Sequence, residues 1–491
     1  MRGRARLLLL AGLLAGCAVG PSYHPEQAVR PETRVGTAGS SAPARQFFDS
    51  LAAARDSDSA AVAAQQPSRL LLPDSLGSLQ WLDIFRDSTL LGLVHTAVKQ
   101  NRDLQTAVSR IQEFRADVGI AQAPLFPSVT ANGSVSTNQV AIGSFPPTQF
   151  DAFRVTADVA WELDFWGRIR RGLQAARADL ASQEATQRAV LLSLVSDVAT
   201  SYLSLLELDQ ERSLAERTLA SRQATLNLAR RRFQQGLTSE LDVRQFEAQV
   251  AVPAATLAQT ERFRAEQEHQ LSLLLGQAPT AIARRGSLVG IVEALRVPDS
   301  LPATLLERRP DVQAAERAYA AATARIGVAQ AARLPTISIT ASYGSQSPRA
   351  GDLFGNNSEI YQALAGVSLP LFTGGRLINQ TRAARARADQ ARLQYEQSVL
   401  IALREASDAL AGVRTSRDQV VAQQTQAEAL RRALQLAELR YRTGIASYIE
   451  VLKAQRSLFD AELALSQAQL GQLSAAVQLY RALGGNWPTG R

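Results

Sequence analysis

The amino-acid sequence predicts an α+β fold of the membrane-barrel kind, built from a helix–strand–strand–helix–helix unit that occurs twice. Three observations predict it. The chain falls on itself at one offset of 208 residues: Asp103 matches Asp311, Gly167 matches Gly375, Phe233 matches Tyr441 and Gly276 matches Gly484. A single gapless offset means that one domain-sized unit was duplicated with its loop lengths kept, unlike a short-repeat solenoid. Each copy also carries two short segments of alternating apolar and polar residues, the period of a strand. Each then carries a helical run of roughly 70 residues, about 100 Å long at 1.5 Å per residue.

The N-terminus sets the compartment. Arg2, Arg4 and Arg6 precede a short apolar stretch, Leu7 to Ala15, too short to span a bilayer as a helix. Leu14-Ala15-Gly16-Cys17 follows and resembles a bacterial lipobox. Residues 1–16 are therefore expected to be a signal peptide, with diacylglycerol and an N-acyl chain carried covalently on Cys17. An ordinary signal peptide with a chance cysteine is the plain alternative. Such chains anchor a protein by buried methylenes, and Ala18 in place of Asp favours the outer membrane. Cys17 is the only cysteine, which excludes a disulfide framework. The net charge of +8 comes from Arg dispersed among Glu, Asp and Gln, which argues for a solvated face and against nucleic-acid binding. His24, His95 and His269 lack ligand spacing, so no metal site and no cofactor is expected.

The elements follow in order. Residues 17–80 read as a lipidated tether, low in complexity from about Arg30 to Arg69. Repeat 1 covers 81–279. A helix is expected from about Ser88 to Ala123, ended by Pro124 and Pro127, and then a strand from Ser128 to Thr137. Phe150 to Phe165 alternates, with Phe153, Val155, Ala157, Val159, Trp161 and Leu163 on one face. Between Arg168 and Gln235 there is no proline, and Gly172 is the only glycine; Gly236 ends this helix, and a return helix runs from about Ser239 to Leu275 with a kink at Pro253. Residues 280–301 are a linker, and repeat 2 covers 302–485. It is expected to hold a helix from about Pro302 to Ala332, strands at Thr336–Ser345 and Glu359–Phe372, a helix at about Arg376–Arg442 broken by Gly444, and a last helix at about Ser447–Leu483. Residues 486–491 form a tail.

Strands with one apolar and one polar face suit a barrel with lipid outside and water inside. A half-buried soluble sheet gives the same alternation, and the export signal decides between them. Four strands cannot close a barrel, and open edges are not tolerated in lipid. Other copies of the chain must complete it, and three copies would give twelve strands. The long helices read as a tube continuing the barrel, a coiled-coil rod being the simpler alternative.

At this point the sequence resembles the TolC-type outer-membrane efflux factors, in the lipoprotein branch that serves resistance-nodulation-division (RND) pumps. The motifs are Cys17 to Tyr23, Trp161-Glu-Leu-Asp-Phe-Trp-Gly-Arg-Ile-Arg-Arg, Glu307-Arg-Arg-Pro-Asp-Val, Leu371-Phe-Thr-Gly-Gly-Arg, and Tyr441-Arg-Thr-Gly with Ala454-Gln-Arg. The resemblance implies an α+β membrane channel: a homotrimer with a 12-stranded outer-membrane β-barrel continued by a 12-helix periplasmic α-barrel. It implies a periplasmic adaptor (membrane fusion protein) and an inner-membrane RND pump as partners, and passive exit of drugs or other toxic small molecules without chemistry. It places a periplasmic gate at Asp242, Glu450 and Lys453, the last departing from the family's acidic residue and placed to pair with Glu450. Gly236, Leu237, Gly444 and Ile445 become the tips that contact the adaptor. Two other readings stay open. An adaptor-like coiled-coil lipoprotein would show one hairpin between β-rich segments. A duct for protein secretion would share the fold, but Cys17 argues against it.

Overall fold

A computed structural model describes residues 18–23, 34–35, 87–140, 148–286, 288–294, 301–302, 308–443 and 445–485. Cys17, Trp81, Ser144 and Gly444 lie outside the described residues. The described elements are β1 (Arg34–Val35), α1 (Ser88–Gln100), α2 (Arg102–Gln122), β2 (Ser128–Val140), β3 (Thr148–Leu163), α3 (Arg168–Gln234), α4 (Glu240–Leu274), α5 (Leu288–Ala294), β4 (Leu301–Pro302), α6 (Pro310–Ala331), β5 (Thr336–Ser347), β6 (Glu359–Ser368), α7 (Arg376–Arg442) and α8 (Tyr448–Ala482).

The two long helices, α3 and α7, are each 67 residues, and their return helices, α4 and α8, are each 35 residues. Four boundaries depart from the sequence reading. The helix expected from Ser88 to Ala123 is two helices, because Asn101 leaves helical geometry and its side chain caps α2 by accepting from Leu104 N at 2.9 Å. α6 begins at Pro310 rather than near Pro302, since proline is suited to the first helical position. β3 ends at Leu163 because Asp164 turns to cap α3. β6 ends at Ser368, its pairing with Thr336 being the last in the ladder, and Pro370 has no N–H to extend it. Pro253 does not interrupt α4, which runs through it.

β2, β3, β5 and β6 form one antiparallel sheet in the order β2-β3-β5-β6. The central pair joins the two repeats, with Val159 opposite Ala341 and Trp161 opposite Ile339. Among the described residues, β2 and β6 each leave one edge unpaired. Their counterparts do not, for β5 pairs on both sides and so does β3. The helices show the same asymmetry. α6 packs against both α3 and α7, whereas its counterpart α2 packs against α3 with no comparable contact to α7.

The main core sits where α1, α3, α4, α5 and α8 meet, around Leu90, Tyr202, Leu203, Leu271, Leu473 and Val477. Tyr202 OH donates to Asp87 Oδ2 at 2.6 Å, so the residue that caps α1 is also tied to α3. α3 is the one described helix long and apolar enough to cross a membrane, yet its apolar stretch from Val190 to Leu206 packs in this core.

Candidate functional site

The chain offers two functional regions, a sheet with two unlike faces and a pair of helical tips at the far end. On the sheet, the register lines up Val135, Phe153, Val155, Val159, Ile339 and Val367 on one face. Tyr343 and Tyr361 are direct partners on that face and are 61% and 82% exposed in the single chain. The other face is polar. Asn132 Nδ2 donates to Asp158 Oδ2 at 2.6 Å and Thr156 Oγ1 to the same oxygen at 3.1 Å; Val140, Phe150, Ile360 and Leu364 are its large apolar exceptions.

The motif from Trp161 to Arg171 is the joint between sheet and helix. Asp164 accepts from Ile169 N at 3.0 Å and from Arg170 N at 2.8 Å, giving the first turn of α3 the acceptor it needs. Glu162 takes Arg168 on both oxygens at 3.1 and 2.7 Å. Trp161 Nε1 donates to Leu125 O at 3.1 Å, and Trp166 Nε1 to Pro335 O at 2.7 Å. Gly167 has φ +77°, and a Cβ there would meet Ala18 Cβ at 2.9 Å. The segment just after Cys17 is thereby seated on the joint. Val19 N donates to Trp166 O at 3.0 Å, Arg171 Nη2 donates to Gly20 O at 2.9 Å, and Tyr23 OH donates to Glu316 at 2.9 Å.

At the tips, Gly236 ends α3 at φ +73°, and Leu237 N returns to Arg232 O at 2.9 Å. Ile445 N returns to Arg440 O at 2.9 Å in the second hairpin. Leu237 and Ile445 are 71% and 72% exposed among the described residues, an apolar pair at equivalent positions.

The predicted gate residues separate into three environments. Asp242 closes a capping box: its Oδ2 accepts from Ser239 Oγ at 2.7 Å, Thr238 Oγ1 at 2.8 Å and Ser239 N at 3.2 Å. The Ser239 and Thr238 hydroxyls hold its carboxyl below the usual range. Glu450 makes its ion pair with Arg440 across the turn at 3.5 Å. The expected partner, Lys453, makes no ion pair among the described residues. The turn brings Arg440 back over the first turn of α8, and this competes with the i,i+3 contact. The sequence reading also missed what ties the hairpins together. Arg232 Nη1 donates to Tyr441 OH at 2.7 Å. Tyr448 packs on Phe246 at 4.3 Å and on Tyr441 at 5.0 Å between ring centroids. Burial raises the Tyr448 hydroxyl above its ordinary pKa. Tyr441 lies within a motif and Tyr448 one heptad beyond it, the one signal that could have paired them. Among the described residues no cluster of His, Cys, Asp or Glu could hold a metal ion.

The chain matches the family described as outer membrane efflux protein over residues 93–277 and 301–485, two segments whose starts and ends are again 208 residues apart. It is 34% identical over 98% of its length to the toluene efflux pump outer membrane protein TtgC of Pseudomonas putida, covering 95% of that protein. It is 30% identical over 83% of its length to the probable outer membrane lipoprotein SilC of Salmonella typhimurium, covering 88% of it. The solved outer-membrane channel OprN superposes with a TM-score of 0.81 at 30% identity, over 96% of this chain and 100% of that one. With both repeats matched and the whole helix–strand–strand–helix–helix order shared with a solved channel, the chain belongs to the outer membrane efflux protein family.

Proposed function

We propose that three copies of the chain form the passive exit duct of a tripartite efflux pump, carrying small toxic organic molecules across the outer membrane without chemistry upon them. The observation that carries this reading is the incompleteness of one chain. β6 has a free edge where its counterpart β3 pairs with β5, so β6 of one copy would pair with β2 of the next. α2 lacks the second long helix that its counterpart α6 has, so α7 of a neighbouring copy would cover it. Leu393 on α7 is 55% exposed while its counterpart, Ala185 on α3, is 1% exposed, as expected where a neighbour supplies the cover. Twelve strands close a barrel and remove every edge. The names of TtgC and SilC support outer-membrane efflux and a lipid anchor. The exposed Leu237–Ile445 pair fits a periplasmic adaptor that links the duct to an inner-membrane RND pump. Deleting the gene should raise sensitivity to the exported compounds, and complementation should restore it. A deletion strain with unchanged sensitivity and unchanged accumulation of any tested solvent or antibiotic would contradict the reading.

Cys17 is proposed to carry the lipid. Ala18 to Tyr23, which follow it, are seated on the sheet–helix joint. Mass spectrometry of the mature protein should find an acylated N-terminal Cys17. Cys17→Ser should weaken anchoring, while a mature chain that starts elsewhere and bears no lipid would refute the assignment.

Asp242, Glu450 and Lys453 are proposed to line the periplasmic constriction. Three copies would place six carboxylates there, moderated by Arg440 and Lys453. Lys453→Asp should raise cation selectivity in planar bilayers, and Asp242→Ala with Glu450→Ala should lower it. Reversal potentials unchanged in both variants would move the gate elsewhere.

A further inference from the structure

Buried polar atoms without partners recur along one seam. The seam where α3 of the first hairpin meets α8 of the second, with its flank toward α4, holds Glu207 Oε1, Arg222 Nε and Nη2, Tyr448 OH, Ser466 Oγ and Gln472 Oε1, none with a hydrogen-bond partner of good geometry. An atom left in that state costs free energy unless a proton or water satisfies it. Glu207 is the sharpest case, a carboxyl only 5% exposed. It lies within hydrogen-bonding reach of Glu211, one helical turn along α3, and of Ser466 on α8. Glu211 accepts from Gln467 Nε2 at 3.4 Å, and Gln210 Nε2 donates to Gln469 Oε1 at 3.2 Å.

Among the described residues no unpaired cation lies at the level of this pair; Arg222 is about three turns beyond Glu211 along α3. α8 presents the neutral Ser466, Gln467, Gln469 and Gln472. On α4, Arg264 is held by Asp209 at 3.1 Å, and Glu268 is held by Arg284, which also reaches Asp209. Arg212, on α3 itself, is bridged to Glu216 at 2.8 Å and lies 3.8 Å from Glu261 of α4. α5 brings Leu288 and Ile291 to the neighbouring core.

We propose that Glu207 and Glu211 hold one proton between them, and that this proton latches α8 onto α3, so that its loss loosens the second hairpin from the first. Without it, two like charges one turn apart sit on the seam, Glu207 buried and Glu211 half-buried, with no counter-ion at their level among the described residues. Burial first, and then the charge of Glu211, push the Glu207 carboxyl up to about 8. An opened seam would return it to the ordinary carboxyl range, about 4.3. The closed seam therefore binds the extra proton between these limits. Its strength is complete below the ordinary range, falls by about tenfold per pH unit through the window, and levels off once the closed form has also ionised. The latch lies within one chain and goes beyond the duct reading, so it stands or falls whether or not three copies assemble.

Amide hydrogen exchange of the full detergent-solubilised chain tests it, with protection factors for residues 460–475 corrected for intrinsic rates from pH 5 to 9. In the wild type, protection should fall by up to about tenfold per pH unit and level off near pH 8. Glu207→Gln removes the buried carboxyl and should give a flat profile, while Glu211→Gln removes only the smaller cause and should level off at a lower pH than wild type, with wild-type protection in α1 showing that the variants fold. A flat wild-type profile, an undiminished fall in Glu207→Gln, or a Glu211→Gln profile identical to wild type would overturn the proposal. So would a fall produced at constant pH by chelating divalent cations, which would make the pair a cation site instead.

Discussion

Val159→Arg is expected to keep the protein out of the outer membrane. Val159 sits mid-strand in β3 on the apolar face, between Val129 and Ala341. In the proposed barrel that face meets lipid. An arginine at the bilayer midplane costs about 2–4 kcal/mol, falling toward zero near the interfaces, and a trimer carries it three times. Thr340→Arg is the matched control. Thr340 lies on the polar face opposite Ala160 and should be accepted with only a change in conductance. Membrane fractionation should find Val159→Arg depleted from the outer membrane and Thr340→Arg present. Equal recovery of both would mean that the two faces are assigned wrongly.

Arg309→Ala should be the most damaging change among the helices. The Glu307 to Val312 motif puts Arg309 at the N-cap of α6, its side chain 6% exposed, where Nη2 reaches Asp311 at 2.7 Å and Glu405 of α7 at 2.6 Å. Nη1 donates to Ala482 O at 3.2 Å, the last carbonyl of α8. One guanidinium thus fastens three helices. Removing one member of a buried charged pair costs about 3–5 kcal/mol, and because Asp311 and Glu405 are partly solvated the loss here should be about 2–3 kcal/mol. Burial opposes ionisation of Asp311, but its hydrogen bonds to Arg309 and that charge win and hold the carboxyl below its ordinary range. This contribution is present above the ordinary carboxyl range and is lost as pH falls through the depressed value. Thermal unfolding should show a lower midpoint for Arg309→Ala at neutral pH and a smaller difference from wild type in strong acid. An unchanged midpoint would mean that the motif is not a clamp.

The long-range plan was legible because duplication prints it twice. Gly167 with Gly375, and the parallel ends of the long helices, fixed the boundaries of α3 and α7 to within a residue or two. The strand faces were legible because alternation survives without tertiary information. What escaped were features decided by a single side chain bonding backwards. Asn101 splits one helical pattern into two, though the pattern alone reads through it. Asp242 looks like a free acidic residue in a list of charges, and only the turn geometry brings Thr238 and Ser239 onto it. Lys453 stands at a favourable spacing from Glu450, but Arg440 returns over the turn and takes that carboxylate. The Phe246–Tyr448–Tyr441 stack joins residues from both hairpins, a pairing that no local period encodes. Glu207 was hidden for the same reason: on α3 it is one carboxylate among many, and only the packing of the helices makes it buried.

The conducting unit is proposed to be three chains sharing one barrel. Native mass spectrometry of the detergent-extracted fraction that forms pores in planar bilayers tests it most directly. The conducting species should have the mass of three mature chains, and the monomer fraction should form no pores. A conducting species with the mass of one chain would contradict it.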